Sequence, residues 1–362
     1  MTTLPRRPRL LGAYEPIHVG GDALLLAPGD EHLELQDAPD GTVPFLRELD
    51  GRRHLDAVLE GAAALGLTGE DARDILAALA DAAVLDDAAA DAAWLTAAQA
   101  ERYDRQLRYF ATCVAPRPAA EAQAALRGAR VAVLGLGGLG GLAALMLAAC
   151  GAGTIVGVDG DRVETSNLAR QVLYRERDVG RPKVEAAERA LHTLNGEVAF
   201  EGVDAMLARP ADVARIVEGC DLAIAAVDWP AHEIGETVDA GCFAAGTPYL
   251  SMSQQPPKVR VGALHVPGRT CCHRCHVDAL RGTYPLMDEV ARAARPDSPA
   301  PTYAPAAGII GSLLANEAIA HLAGLHPAAT LGRAWVFDLR TFAASWQPLK
   351  GAGCSRCERA AR

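Results

Sequence analysis

The chain has 362 residues, half of them hydrophobic, and a formal net charge of −10. That length and composition allow a sizeable core and two domains, and no stretch reaches the roughly 18 uninterrupted apolar residues of a membrane span. The charge is uneven: residues 1–95 hold 18 Asp/Glu against 7 Arg, a balance of −11 that leaves the remainder at +1. An acidic N-terminal region is a poor partner for nucleic acid, so binding to DNA or RNA is excluded as the expected role.

Residues 1–95 read as a separate small domain. "DALLLAPGD" and "EHLELQD" predict two short strands joined at Pro28-Gly29. "VPFLRELDG" puts Phe45, Leu46 and Leu49 on one helical face and stops at Gly51, and Leu55, Val58 and Leu59 continue the pattern. Thr68 is the expected N-cap of a third helix, with acids in its first turn. Strands followed by three short helices suggest a winged-helix-like module. The Ala/Asp-rich stretch after it reads as a link.

From residue 129 the pattern changes to that of an α/β domain, expected over 96–362. "ARVAVLGLGGLGG" is an apolar strand running into a glycine turn, "LAALMLAACGAG" an apolar helix and "TIVGVDGD" a second strand ending in acids. This is a β–turn–α–β unit of a doubly wound, mainly parallel, Rossmann-like sheet. "CDLAIAAVDWP", "GTPYLSMS", "RVGALHVPG" and "RAWVFDLRT" predict later strands. A long Pro-rich connection covers 283–308, and "IIGSLLANEAIAHLAG" predicts a helix.

Gly135, Gly137 and Gly140 have dinucleotide-type spacing, with Gly138 among them. Glycine allows the tight turn that brings the next helix's N–H groups to a phosphate. Asp159 closes the following strand, where a carboxylate accepts a ribose hydroxyl, and Asp161 joins the nucleotide-binding set. A nicotinamide site would need apolar surroundings just beyond. Instead the chain supplies Asn167, Arg170, Gln171 and Lys183, a set of amides and cations suited to a triphosphate. Lysine occurs only at 183, 258 and 350, so a lysine among so many arginines points to a specific geometry.

Cys272-His-Arg-Cys275 and Cys354-Ser-Arg-Cys357 form two C-x2-C pairs. Four thiolates make a closed tetrahedral zinc site that is structural, because no position stays open for water. Clustered cysteines used this way, and the absence of a signal-peptide pattern, are expected of a cytoplasmic protein.

From about residue 100 to 360 the sequence resembles the ubiquitin-activating-enzyme-like adenylyltransferases of the ThiF, MoeB and MccB kind. The resemblance runs in order through "RYDRQL", "GLGGLGG", "VDGDRVETSNLARQ", "VGRPKVE", "AVDWP", "GCFAAGTP", "CCHRC", "GIIGSLLANEAIAHLAG" and "GCSRC". It implies that the glycine turn and Asp159 hold ATP, and that Asn167, Arg170, Gln171 and Lys183 bind its phosphates. It implies that Asp228 holds Mg²⁺ and that Arg105 reaches the site of the partner in a homodimer. The usual Asn after the magnesium Asp is replaced by Trp229. Residues 276–353 contain no cysteine, which argues against relay of the acyl group to a thiol in the long connection. The N-terminal module is similar to the peptide-recognition elements of ribosomal peptide maturation. The combination implies adenylation of a peptide's C-terminal carboxylate, as in MccB-type enzymes. The alternatives are activation of a ubiquitin-like sulfur carrier and a non-catalytic peptide-delivery scaffold. Intact Arg170, Lys183 and Asp228 count against the scaffold.

Overall fold

The computed structural model describes residues 4–12, 14–19, 22–26, 32–114, 117–230, 233–283, 286, 289, 301–349, 351 and 354–360. The expected Pro28-Gly29 turn and most of the long connection lie outside these residues. The chain forms two compact units, Met1–Ala125 with Ala323–His326, and Leu126–Leu322 with Pro327–Arg362.

The first unit begins with strand β1 (Pro8–Leu10), followed by β2 (Glu15–Val19), β3 (Asp22–Leu26) and β4 (His32–Leu35). Strands β2, β3 and β4 form an antiparallel sheet in that order, and β1 pairs with β5 (Leu85–Asp87). Between them lie helices Thr42–Arg47, Leu55–Ala62 and Gly69–Asp81. Their apolar stripes bury Phe45, Leu46, Leu49, Val58, Leu76 and Leu79 in one core. Thr68 caps the third helix as expected: its Oγ1 accepts from Asp71 N at 3.1 Å, and Asp71 Oδ2 accepts from Thr68 N at 2.8 Å. The unit continues through helices Ala97–Arg102 and Asp104–Val114.

The second unit is built on an eight-stranded sheet in the order β13-β12-β11-β10-β9-β6-β7-β8. Strands β6 (Arg130–Leu134), β7 (Thr154–Val158), β8 (Ala199–Val203), β9 (Leu222–Ala225) and β10 (Tyr249–Gln255) run parallel. Strands β11 (Lys258–His265), β12 (Arg333–Asp338) and β13 (Ala344–Pro348) add antiparallel. Val131, Ala132, Val133 and Leu134 are all buried, as expected of a central parallel strand covered on both faces. The chain proceeds from β6 to β7 on one side and reaches β9 on the other. That reversal opens a crevice at the carboxyl ends of the strands, the usual ligand position in such sheets.

Helix Ala304–Ala323 is long and apolar enough by composition to cross a membrane, but it is largely interior. A Cβ added at Gly311 would come 2.7 Å from Leu139 O, and Ala307 Cβ lies 3.2 Å from the equivalent position at Gly138. The helix therefore packs directly on the helix that follows the glycine turn.

Candidate active site

The turn after β6 occupies the crevice. Gly135 has φ 92°, a left-handed conformation that favours glycine, and a Cβ there would lie 2.6 Å from Ala226 O. At Gly140 a Cβ would lie 1.9 Å from Gly135 O, so the helix can approach the strand only without a side chain. Gly137, which caps helix Gly138–Ala149, differs: an added Cβ would meet only Gln171 Nε2, at 3.8 Å. Protein packing does not demand glycine there. The open space lies at a helix N-terminus whose first N–H groups suit an anion.

The acids after β7 brace this turn. Asp159 Oδ2 accepts from Leu136 N at 2.8 Å, and its Oδ1 accepts from Asp161 N at 2.9 Å. Burial pushes the Asp159 carboxyl up, and the charge of Lys183 opposes the shift. Lys183 begins helix Lys183–Leu194 and is only 5% exposed. Its Nζ donates to Asp161 Oδ2 at 2.7 Å and lies 3.5 Å from Asp159 Oδ1. Its own backbone N–H donates to Asp161 O at 2.9 Å, which fixes the start of that helix against the acidic loop.

The polar segment between the acids and Lys183 folds under the glycine turn. Asn167 is buried in a single 3-10 turn, with its Oδ1 accepting from Glu164 N at 3.1 Å. Arg170 Nη1 donates to Ser166 O at 3.0 Å, and Arg170 O lies 3.3 Å from a Cβ position at Gly138. Gln171 is buried, yet among the described residues its Oε1 has no hydrogen-bond partner. A buried acceptor left unmatched is costly and fits a site completed by a ligand. Asp228 lies two residues beyond Ala226, whose carbonyl abuts Gly135. It is exposed, and among the described residues no hydrogen bond or ion pair engages its carboxylate.

The second unit thus brings Gly135, Gly137, Gly138, Gly140, Asp159, Asp161, Asn167, Arg170, Gln171 and Lys183 around one turn, with Asp228 at the adjoining strand end. Arg105 belongs to the first unit. Its side chain is 91% exposed and ion-paired to Asp104 at 3.7 Å.

The four cysteines meet as their spacing predicts, with all four Sγ atoms within 4.8 Å of one another. Separations are 3.7 Å for Cys272 to Cys354, 3.9 Å for Cys275 to Cys357 and 4.0 Å for Cys354 to Cys357. Tetrahedral ligation with zinc–sulfur bonds of about 2.3 Å needs sulfur separations near 3.8 Å, which these three approach, so the donor set suits zinc. Backbone donors from Cys357 and Arg356 draw the Cys354 thiol down to about 7, whereas burial pushes the thiols of Cys272 and Cys275 up in the metal-free cluster. Cys242 is fully buried and its thiol is pushed up by burial, a poor nucleophile.

Sequence reasoning missed two supports. Tyr174, buried, donates its hydroxyl to Leu136 O at 2.8 Å and fixes the glycine turn from below. Arg356, inside the second cysteine pair, ion-pairs with Asp239 and Glu236 of helix Ile234–Ala245. Asp239 also accepts from Tyr249 Oη at 2.8 Å and His273 N at 2.9 Å. The available signal was Asp239 itself, an acid amid the apolar run "TVDAGCF".

Residues 103–358 match the ThiF family. The molybdopterin-synthase adenylyltransferase of Escherichia coli strain K12 is 33% identical over 238 residues, 66% of this chain and 90% of that protein. The sulfur carrier protein ThiS adenylyltransferase of the same strain is 31% identical over 254 residues, 69% of this chain and 94% of that one. Among solved structures, E. coli MccB with ATP superposes with a TM-score of 0.75 at 22% identity, covering 97% of this chain and 99% of its own. PaaA superposes with a TM-score of 0.72 at 24% identity, covering 93% and 98%.

Proposed function

Because the chain belongs to the ThiF family and is an adenylyltransferase, we propose that it adenylates the C-terminal carboxylate of a short peptide, releasing pyrophosphate. One observation carries the peptide. The sulfur-carrier adenylyltransferases align with about two thirds of this chain, whereas the MccB fold spans 97% of it, the N-terminal strands and helices included. One MccB structure holds the peptide MccA.

A carboxylate oxygen attacks the α-phosphorus, the bond from that phosphorus to the bridging oxygen breaks, and pyrophosphate leaves with the electron pair. In this reading the amides at the start of helix Gly138–Ala149, with Asn167, Arg170 and Gln171, hold the phosphates, and Asp159 and Asp161 face the nucleoside. Lys183 is held by carboxylates beside the turn, ready to exchange them for the triphosphate. Asp228 would hold Mg²⁺, which supplies charge neutralisation on the leaving pyrophosphate. Arg105 completes the site of the partner in a homodimer. Zinc on Cys272, Cys275, Cys354 and Cys357 would tie the C-terminal segment to the domain. Residues 1–95 bind the peptide, and the enzyme works in the cytoplasm, where thiols stay reduced.

The test is ATP–pyrophosphate exchange driven by a library of peptides with free C-termini, set against ubiquitin-like sulfur carriers. Exchange with peptides is expected. Exchange with the carriers alone would transfer the assignment to sulfur activation. That second reading has its own support in sequence identity of 31–33% to carrier adenylyltransferases.

A further inference from the structure

Strand β11 carries a cation that nothing in the adenylation site described above uses. Arg260 sits opposite Ser253 of β10 and Val336 of β12 in the ladder. It is half-buried, while its neighbours Val259 and Val261 are buried on the opposite face. Among the described residues its guanidinium makes no hydrogen bond and no ion pair. Among the described residues of this unit, two other enclosed cations are matched: Lys183 by Asp159 and Asp161, and Arg356 by Asp239 and Glu236.

The absence of a partner among the described residues has a structural origin. Arg260 is close enough to Tyr249 and His265 to act on them electrostatically, and the Tyr249 hydroxyl donates to Asp239 of helix Ile234–Ala245, so Arg260 faces that layer. The carboxylates which that helix turns to this region are Glu236 and Asp239. Both are taken by Arg356, and Asp239 is further engaged by Tyr249 and His273. Burial draws the Arg260 guanidinium down from its ordinary value, and the interaction with Tyr249 offsets the shift only in part. A desolvated arginine that makes no hydrogen bond among the described residues is costly to the folded protein.

Its position says what would use it. Strand β10 runs parallel to β9, so Ser253 and Arg260 lie toward the carboxyl end of the sheet, the end at which β9 leads to Asp228. Strand β11 is two ladder spacings from β9, roughly 10 Å. The His273 ring lies 3.0 Å from a Cβ position at Gly235, at the start of the helix that follows Asp228. Arg260 therefore faces the floor of the same crevice, on the side away from the nucleotide turn.

We propose that Arg260 is the carboxylate anchor of the acyl substrate, pairing its planar fork with the free C-terminal carboxylate and selecting free acids over amides. The proposal rests on the adenylation reading and adds the residue that recognises the acceptor. The fork presents two parallel donors to the two oxygens of a carboxylate, whereas a C-terminal amide offers one oxygen and repels the fork with its own N–H groups.

The experiment uses the full chain, wild type and Arg260→Met and Arg260→Lys, with the peptide giving fastest exchange in the library and its C-terminal amide as competitor. For wild type, the free acid should bind at least tenfold more tightly than the amide. In Arg260→Met that ratio should fall to near one, the KM for peptide should rise more than tenfold and the KM for ATP should stay unchanged. Arg260→Lys should recover part of the preference. The Tm of Arg260→Met should be equal to or above that of wild type, because no partner is orphaned; a structural arginine would lower it. Unchanged acid-over-amide preference in Arg260→Met overturns the proposal while leaving adenylation standing. A raised KM for ATP with the peptide KM unchanged overturns it as well, placing Arg260 on the nucleotide. No exchange with any free-acid peptide in wild type removes the adenylation reading and this one with it.

Discussion

The Lys183 ammonium rests 2.7 Å from the Asp161 carboxylate and 3.5 Å from that of Asp159, at 5% exposure. The same lysine donates its backbone N–H to Asp161. Its charge is thus held by two acids, one of which, Asp159, also accepts from Leu136 N of the glycine turn. In the proposed reaction, arriving phosphates would compete for a lysine already in place.

Lys183→Ala is expected to lose ATP–pyrophosphate exchange by about a hundredfold or more while remaining folded. Lys183→Arg should lose most of it, because a planar fork cannot take the place of a compact ammonium between Asp159 and Asp161. Asp228→Ala should fail comparably through its effect on Mg²⁺ dependence. Circular dichroism checks the fold and isotope exchange checks the chemistry. Exchange at the wild-type rate in Lys183→Ala would remove this lysine from the reaction.

Much of this site was legible because its parts are local. A fully buried parallel strand reads as an unbroken apolar run, as in Val131–Leu134, and glycine spacing marks the turn that follows. Lys183 stood out because the chain has only three lysines. Strand β8 was not legible: its residues are mostly exposed, and "AFEGV" has neither a continuous apolar run nor regular alternation. Strand β13 failed for the same reason, with exposed positions along an edge. The Asp239–Arg356 pair spans 117 residues and exists only because the cysteine cluster brings the C-terminal segment back to helix Ile234–Ala245. No window of sequence contains both partners.

That pair gives a stability prediction. Asp239 is fully buried, and among the described residues Arg356 is the cation that pairs with it. Arg356→Met should destabilise the protein by about 3 kcal/mol in urea denaturation, since it leaves a buried carboxylate unpaired. The double variant Arg356→Met/Asp239→Asn should cost less than the sum of the two single variants. Additive costs would mean that the two side chains do not act as a pair.

The cysteine geometry predicts about one zinc per chain, measured by metal analysis of protein purified without chelator. Cys272→Ser should lower the Tm by roughly 5 °C or more and affect ATP binding less. Zinc-free protein with an unchanged Tm would mean that the four thiols lie close together without serving a metal.

Arg105 is 91% exposed, unusual for a residue assigned to an active site within its own chain. The proposed role in a partner's site is compatible with that exposure. Arg105→Ala and Lys183→Ala chains, each inactive alone, should regain activity when mixed, because a mixed dimer keeps one site with both residues. Subunit exchange is followed by native mass spectrometry. Exchanged dimers without recovered activity would confine Arg105 to its own chain.

The last prediction concerns peptide capture by the acidic first unit. Strands β2 and β4 are the two edges of their sheet and expose Glu15 and Glu34 respectively. An extended peptide added to either edge gains main-chain hydrogen bonds, while its side chains pass these carboxylates. A surface with a balance of −11 over residues 1–95 favours basic peptides, and the preference should weaken as salt screens it. Glu15→Lys/Glu34→Lys should therefore raise the KM for a basic peptide about tenfold at low salt, and less at high salt. The KM for ATP should not move, because every proposed ATP ligand of the chain lies beyond residue 100. Peptide kinetics at two ionic strengths provide the measurement. If the double variant leaves peptide KM untouched while a ubiquitin-like carrier is adenylated at full rate, the first unit is incidental. Sulfur-carrier activation then becomes the function that fits the chain.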